Sequence, residues 1–465
     1  RVQLLPEGVD PFAAGTNMIW WVHRTGRGWS RAAASVDVRT GEILHANVRL
    51  GSQRVHQLTA LFETLLSPYG RADEAQRLAQ IEQAVITRIK HLAAHEIGHA
   101  LGFVHNYAST THQVPSVMDY PHPRLGTTVT DDGITQINLD DAYTPSLGEW
   151  DFELVRRAYA AEEDAQPPQI ALPFISDMDG HGADASVPEG VPWTFGADPL
   201  KSLTTVLAVR RLALAEFGEG TLKPGRQLGE VEGRFYLAYL LHRHQAAAVA
   251  RLVGGASYRY GLVGQAQAGT TPVDAPRQRD ALAQLVALLD PKILAVPRLA
   301  LRSLTPPSLR FARSADAAIP TAGPLFDTAR AAEIAAGTVL EHCFTAGRLN
   351  RLWDQRSAGL DVPTITELVG AVAKAVFDPI GDDPTVTAGA AWAFARHVVA
   401  AAENPTLHPW VRAELLSQLG AVCLLAAAAT QTPASSAASA LLKYCETGQR
   451  GMIGEPTAPP LGIPL

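Results

Sequence analysis

Hydrophobic and polar residues follow a strand-like pattern only at the start of the chain. Up to about residue 50, β-branched and aromatic residues are interrupted by turn sequences such as Pro6-Glu7-Gly8, which predicts a small sheet of short strands. Residues 18–22 are uniformly apolar and predict a buried strand, whereas residues 43–50 alternate and predict a half-buried strand.

The chain after this predicted sheet shows helical periodicity. It is present over residues 57–66 and strongest over 73–101, where apolar residues recur every three or four positions. Residues 106–115 then predict a loop, and residues 149–160 predict the helix that closes this first region. The first third of the chain therefore predicts a mixed α+β domain.

The remainder of the chain predicts helices almost exclusively. After residue 198 it is rich in Ala and Leu, with apolar residues at helical spacing. The predicted helices cover residues 200–217, 231–253, 277–289, 324–353, 365–376, 388–402, 409–430 and 436–445. No fixed repeat period separates them, which favours a helical bundle or an irregular superhelix over a solenoid.

A change of composition near residue 162 suggests the domain boundaries. The Pro- and Gly-containing stretch that follows predicts a linker or a long crossing loop. We therefore expect an α+β domain over residues 1–165, the linker or crossing loop over 166–198, and an α-helical domain over 199–465.

Composition and charge narrow the classes of function. A chain of 465 residues with 47% hydrophobic and 18% charged residues is typical of a globular protein. The net charge of -7, without a basic stripe, argues against nucleic acid as a principal partner. No apolar run approaches the roughly 20 residues that cross a bilayer, so we expect no transmembrane segment; the most apolar stretch, 421–430, predicts a buried helix.

All three cysteines lie in the predicted helical domain, at positions 343, 423 and 445. We expect three buried thiols, and Cys423 with Cys445 is the one conceivable bridge.

One stretch carries clear chemistry, the sequence from His95 to His105 with the pattern HExxHxxGxxH. On a helix, His95 and His99 lie above one another and can bind one ion, with Glu96 beside them. Gly102 can adopt a positive φ, end the helix and let the chain return His105 to the same ion. Finding these residues at these offsets by accident has a chance of about one in ten thousand.

Three imidazoles leave one coordination position of Zn²⁺ open, as a catalytic site requires. One catalytic zinc would lower the pKa of a bound water from ~15.7 to ~7. Glu96 would then take a proton from the attacking water and return it to the leaving amine. In an alternative arrangement, Glu149 or Glu153 would be the third ligand, but the spacing of His105 favours the three histidines.

Sequence further along resembles the metzincin clan of zinc endopeptidases. The segment Ser116-Val117-Met118-Asp119-Tyr120 is similar to the clan's Met-turn. Stretches 17–24 (NMIWWVHR), 27–30 (RGWS), 37–43 (DVRTGEI) and 50–52 (LGS) resemble a bacterial family of large zinc-dependent metallopeptidases with an enterotoxin-associated-protease-like catalytic domain. In that family a long helical region follows the zinc domain.

The resemblance implies an α+β metzincin-like zinc metallopeptidase domain followed by a mostly α-helical C-terminal domain. It implies that His95, His99 and His105 are the ligands, that Glu96 is the base and that Met118 forms an apolar floor beneath the metal. It also implies export to the periplasm or the exterior. Because the family has further N-terminal regions, we expect this chain to be a fragment or processed product, with the missing upstream region as a candidate partner.

Residues just after Met118 are candidates for substrate contacts. By resemblance to other metzincins, Tyr120 either ligates zinc and moves to the oxyanion, or simply packs. Pro121, His122 and Pro123 would form the wall of the pocket for the residue after the scissile bond. Further along, residues 177–184 resemble a calcium loop only weakly, because Pro188 stands where a bidentate Glu is needed, so a surface loop is favoured over a calcium site.

The predicted function is that of a zinc-dependent endopeptidase acting on protein or peptide substrates. Two alternatives remain open from the residues alone. The first is a zinc amidase acting on cell-wall peptides. The second is a non-catalytic, zinc-stabilised binding module, which would unfold on chelation without hydrolysing anything at any stage.

Overall fold

The computed structural model describes residues 2–460 except 25–28, 130–132, 134, 161–172, 259, 261–262, 265–268, 309–310, 379–382 and 429–431. Residues 27–28 of the stretch quoted above, residues 166–172 of the expected linker and residues 429–430 of the predicted helix 409–430 lie outside the described residues.

A three-stranded sheet opens the fold. Its strands are β1 (Met18–Val22), β2 (Arg31–Val36) and β3 (Ile43–Gly51), in the order β1-β3-β2. Strand β1 runs parallel to β3, and β2 runs antiparallel to β3 along one edge. The sheet therefore presents β2 as an edge strand beside the helix that follows.

Two helices follow this sheet in the chain, α1 (Gln53–Leu66) and α2 (Glu74–Ala100), and α2 packs against the sheet. The apolar residues of β3 pack with Leu92 and Ala100 of α2. The prediction that residues 18–22 form a strand is confirmed, but the prediction that this strand is buried is wrong, because Ile19 and Trp21 are 40% and 45% exposed. Helix α2 packs on β2 and β3 and leaves β1 at the uncovered edge.

Between α2 and the helical region, the chain forms short elements. A 3-10 turn covers Tyr107–Thr111 inside the predicted loop. A hairpin of β4 (Gly126–Val129) and β5 (Thr135–Asn138) precedes α3 (Glu149–Tyr159) and the four-residue α4 (Asp177–Gly180). A second hairpin joins two-residue strands β6 (Ala256–Ser257) and β7 (Thr271–Pro272).

Twelve further helices occur in the described part of the chain after residue 198. They are α5 (Pro199–Ala215), α6 (Val231–Tyr239), α7 (Arg243–Ala250), α8 (Ala275–Ala287), α9 (Pro291–Leu294), α10 (Arg298–Ser303), α11 (Thr328–Cys343), α12 (Ala346–Ser357), α13 (Ile365–Phe377), α14 (Pro384–Glu403), α15 (Pro409–Ala427) and α16 (Pro433–Thr447). The mostly helical character predicted for this region is confirmed.

Two predicted helices are each divided in the structure. Residues 231–253 include α6 and α7, and residues 324–353 include α11 and the first part of α12, which continues to Ser357. At the second break, Thr345 caps α12 by accepting a hydrogen bond from the amide of Arg348. The buried guanidinium of Arg348 donates to the carbonyls of Val253 and His342, which lie near the C-terminal ends of the preceding helices. A buried polar side chain therefore compensates for the helical ladder that is interrupted between α11 and α12.

A single large hydrophobic cluster joins the first region to the helical one. It includes Leu58 and Phe62 of α1 and Val85 of α2 together with Val206 of α5 and Phe235 of α6. Burying apolar surface across this contact holds α1, which precedes the histidine helix, against the helical region.

Helix α15 is long and apolar enough to cross a membrane by length and composition alone, and 22% of its most apolar window is buried. The prediction that residues 421–430 form a buried helix is wrong over its described part, because Leu424 and Leu425 are 61% and 78% exposed. Only one stripe of α15 packs inward, through residues such as Leu415 and Cys423. All three cysteines are free thiols, and the prediction that they are buried is confirmed for Cys343 and Cys423 but wrong for Cys445, which is half-buried.

Candidate metal centre

The last turns of α2 and the bend after it bring three histidines together. Helix α2 ends at Ala100, and Gly102 follows with a φ of +90°. The amide of Phe103 donates to the carbonyl of Gly98 at 3.0 Å, which closes the turn and sends the chain back toward the helix. His105 then lies beside the two helical histidines.

The three Nε2 atoms converge on one point. His99 Nε2 lies 3.1 Å from His95 Nε2 and 3.1 Å from His105 Nε2. A tetrahedral zinc ion with Zn–N bonds of about 2.0–2.1 Å separates two ligand nitrogens by about 3.3 Å. The residues present therefore fit a zinc ion, and among the described residues these three histidines are the group that could hold one.

Each ring has a hydrogen-bond acceptor on its other side. Nδ1 of His95 donates to the carbonyl of Val117 at 2.6 Å, and Nδ1 of His99 donates to the carbonyl of Phe103 at 2.8 Å. Nδ1 of His105 donates to both carboxylate oxygens of Asp177, at 3.0 and 2.9 Å. With each Nδ1 protonated, the lone pair of each Nε2 is directed at the ion position.

Burial keeps the helical histidines neutral. Desolvation lowers the pKa of His95 and of His99 below the usual value of 6.5, and the neighbouring imidazoles lower both further. A neutral imidazole is the form that binds a metal, so the environment favours ligation over protonation.

Asp177 comes from the segment that the sequence predicts as a linker or crossing loop. Its carboxylate also accepts a hydrogen bond from the hydroxyl of Tyr107 at 2.5 Å. Gly180, at the end of α4, packs closely against the Tyr107 ring, because a Cβ atom added to Gly180 would come within 2.3 Å of a ring carbon. The sequence singled out Asp177 only as the first residue of the weak calcium-loop resemblance, and its contact with His105 could not be predicted because 72 positions separate the two residues.

The helical region holds this segment in place. Arg251 is 6% exposed and donates to the carbonyls of Gly180 and Gly190. Asp179, in the weak calcium-loop resemblance, accepts hydrogen bonds from the hydroxyls of Tyr258 and Tyr260. The loop therefore connects the metal centre to the helices that follow.

Glu96 is 4% exposed and lies next to the edge strand. Its carboxylate accepts a hydrogen bond from the amide of Ala32 in β2. Burial raises the pKa of Glu96 to about 7, against the opposing effect of the positive charges on Arg88 and Arg54. A carboxyl group in this range can both accept and release a proton near neutral pH.

Met118 lies beneath the histidine helix and is 1% exposed. A Cβ atom on Gly98, between the two helical histidines, would come within 2.2 Å of the Met118 sulfur. Ser116 and Val117 of the turn donate to the buried carboxylate of Asp151 at 2.5 and 3.1 Å. Gly98 is a site residue that the sequence argument missed, although it lies inside the motif.

Tyr120 lies over the metal centre. Its ring centroid is 4.4 Å from that of His105, and it stacks on Trp193 at 5.8 Å and 11°. Trp193 has a φ of +59°, which is uncommon for a residue with a side chain and is typical of functional sites. Burial raises the pKa of Tyr120 to about 12, and the negative charges of Asp177 and Glu96 add to this, so its hydroxyl stays protonated.

The segment after Tyr120 packs against Thr194 and against the helical region. Pro121 forms a bridge with Thr194. His122 is 1% exposed, donates to the carbonyl of Pro123 at 2.7 Å and lines a cavity with residues of α6 and α7.

Of the alternative ligands, Glu153 forms ion pairs with Arg156 and Arg157, at 2.8 and 2.7 Å, and Glu149 is exposed. Nδ1 of His91, one helical turn before His95, lies 3.1 Å from Nη1 of Arg88. None of these three residues belongs to the candidate metal group of the described residues.

Comparison with known proteins identifies one family. A family model described as Met-zincin matches residues 78–383, which is more than half of the chain. The match begins within α2 and includes the three histidines, Met118 and Asp177. No curated protein and no solved structure matches the chain.

Proposed function

The chain belongs to the Met-zincin family and contains a zinc metallopeptidase domain of the metzincin clan, and from this premise we propose that it is an endopeptidase in which Glu96 is the general base. The main support for this proposal is the convergence of three Nε2 atoms, because those of His95 and His105 each lie 3.1 Å from that of His99. The helix that carries His95 and His99 also carries the buried carboxylate of Glu96.

The zinc ion and the side chains would have separate roles in peptide hydrolysis. Zinc held by His95, His99 and His105 would supply a Lewis acid that acidifies water and polarises the substrate carbonyl. Glu96 accepts the proton of the attacking water and delivers it to the leaving amine as the peptide bond breaks. The protonated hydroxyl of Tyr120, over the His105 ring, is a donor for the oxyanion.

Substrate orientation is supported by the edge strand. The outer edge of β2 has no partner strand among the described residues, and its amide at Ala32 lies against Glu96. An extended peptide can add to such an edge through main-chain hydrogen bonds, which places an internal peptide bond beside the base. This mode does not require a chain end and so favours an endopeptidase.

The test uses the zinc-loaded chain and a proteome-derived peptide mixture. Wild type should cleave internal peptide bonds, whereas Glu96→Gln should bind zinc equally and lose at least about 100-fold in turnover, the lower end for a lost acid–base group. Tyr120→Phe should retain zinc and cleave more slowly. Equal cleavage by wild type and Glu96→Gln at equal zinc content would remove Glu96 from the mechanism.

A further inference from the structure

Several aromatic rings surround the side chain of Tyr120, the proposed donor to the oxyanion. Its ring centroid lies 4.4 Å from that of His105, 5.5 Å from that of His95 and 5.6 Å from that of Tyr107. The ring of Trp193 lies nearly parallel to it, at 5.8 Å and 11°. The first three residues come from the histidine helix and the chain just after it, whereas Trp193 comes from the predicted crossing loop. One wall around Tyr120 is therefore supplied by a distant part of the chain.

Main-chain hydrogen bonds hold Trp193 beside Tyr120. The amide of Trp193 donates to the carbonyl of Tyr120 at 2.7 Å, and the amide of His122 donates to the carbonyl of Thr194 at 3.3 Å. Pro121 and Thr194 also form a parallel bridge. These contacts fix the register of the two segments, because sliding one segment along the other would break the hydrogen bonds.

The backbone of Trp193 is in an uncommon conformation. Its φ of +59° lies in the left-handed region, and among the described residues only Ser67 also combines a side chain with a positive φ. Ser67 follows the end of α1, where this conformation is common, whereas Trp193 follows no helix. Glycine would adopt the same φ without strain, so a large side chain at this position indicates that the ring itself has a role.

Two further rings pack on Trp193 and restrict it. The ring centroid of His181, just after α4, lies 5.6 Å away, and that of His244, in α7, lies 5.3 Å away. Half-buried Trp193 therefore contacts both the segment that carries Asp177 and the helical region. A side chain that is itself restricted by packing can hold the ring that it stacks on.

We propose that Trp193 is a positioning residue that holds the Tyr120 ring over the metal centre, so that the Tyr120 hydroxyl meets the oxyanion without first having to move. This inference rests on the proposed function, which it deepens by giving a role to a residue of the crossing loop. Trp193 acts only through Tyr120. A donor that is already in place is more effective than one that must be ordered during the reaction, because no reorganisation is needed.

The first experiment measures kcat and KM of the zinc-loaded chain on a peptide that the wild type cleaves. Trp193→Gly removes the ring and keeps the positive φ without strain, so the main-chain contacts should remain. It should lower kcat at least about tenfold, short of the roughly 100- to 1,000-fold cost of removing an oxyanion donor, and leave KM nearly unchanged. In the Tyr120→Phe background, which lacks the hydroxyl, the same substitution should change kcat by less than about twofold.

Matched variants make the kinetic result decisive. Trp193→Phe, which restores a ring, should recover most of kcat. Trp410 is 50% exposed on α15 and stacks on His408 at 4.7 Å, so Trp410→Gly removes a stacked ring elsewhere and should keep the wild-type kcat. An equal loss from Trp193→Gly with and without the Tyr120 hydroxyl would overturn the inference, as would an unchanged kcat. Should Trp193→Gly fail to fold, Trp193→Asn takes its place, because Asn also tolerates a positive φ.

A measurement of motion separates this inference from the proposed function. With a fluorotyrosine at position 120, fluorine NMR relaxation of the zinc-loaded chain reports how freely the ring moves, and no cleavage is needed. The ring should be as rigid as the fold in wild type and in Trp410→Gly, and should move independently in Trp193→Gly. Faster motion in Trp193→Gly supports the positioning role even if wild type cleaves nothing. Equal rigidity overturns it and leaves the hydrolytic role of Glu96 untouched.

Discussion

The carboxylate of Asp177 and Nδ1 of His105 lie 2.9 Å apart although 72 positions separate them in the chain. Partial burial opposes ionisation of Asp177, but the hydrogen bonds from Tyr107 and His105 outweigh it and lower the pKa of the carboxyl. An ionised Asp177 therefore fixes the His105 tautomer that presents Nε2 to a metal.

Replacing Asp177 should weaken metal binding more than folding. We expect Asp177→Asn to lower zinc affinity by about 10- to 100-fold, because an uncharged amide oxygen is a weaker acceptor for Nδ1–H of His105 than a carboxylate. Competition with a chelator measures the change. Asp179→Asn removes the same charge two positions away, where the carboxylate meets tyrosine hydroxyls, and should change affinity much less. Equal losses in the two variants would make the effect one of charge alone.

Arg251 should connect the helical region to the metal centre. Its guanidinium holds the carbonyls of Gly180 and Gly190, so Arg251→Leu should release the segment that carries Asp177 and reduce zinc affinity in the folded protein. Arg210 is buried to the same extent, 6% exposed, but it donates to the carbonyls of Tyr239 and Ile293. Arg210→Leu should cost stability and leave zinc affinity unchanged, which calorimetric titration of both variants tests.

Gly98 should tolerate no side chain. Gly98→Ala would place a Cβ atom within 2.2 Å of the Met118 sulfur and should destabilise the protein by about 1–3 kcal/mol, as expected for overpacking. Gly420 in α15 is a control, because no atom lies within 4 Å of its Cβ position. Gly420→Ala should stabilise by up to about 1 kcal/mol, the helix-propensity difference. Urea unfolding measures both, and a neutral Gly98→Ala would disprove the contact.

Acid should destabilise the fold through buried histidines away from the metal centre. Burial lowers the pKa of His342 to about 3 and that of His397 to about 4, below the usual 6.5. Between pH 6.5 and these folded-state pKa values, the unfolded chain therefore binds more protons than the folded protein. Stability is greatest above pH 6.5 and decreases as the pH falls toward the folded-state pKa. His397→Gln should reduce the loss between pH 7.5 and 5 by about 2 kcal/mol.

Denaturant unfolding at the two pH values tests this prediction. Exposed His23, replaced by Gln in the same way, provides the matched control for the substitution itself. A His397→Gln variant with the wild-type pH dependence would show that this ring is protonated in the folded protein without cost.

Hydrophobic periodicity and turn residues predicted most of the secondary structure. These local patterns failed where a side chain that is distant in the sequence determines the structure. The helix ending at Ala100 follows from its own periodicity and from Gly102. The division of residues 324–353 into α11 and α12 does not, because the carbonyl of His342 at the end of α11 is satisfied by the buried side chain of Arg348. The exposure of Ile19 and Trp21 likewise reflects where α2 packs, which their apolar character cannot indicate.

The amino-acid sequence alone determined the three imidazoles and the base, because one helical turn and one glycine bend suffice to place His95, Glu96, His99 and His105 around a point. Only the tertiary structure decided what surrounds them. Asp177 reaches the centre through packing of separate elements, and such a contact has no characteristic spacing in the chain. A ligand set is therefore encoded locally, whereas the groups that orient it depend on how the elements pack.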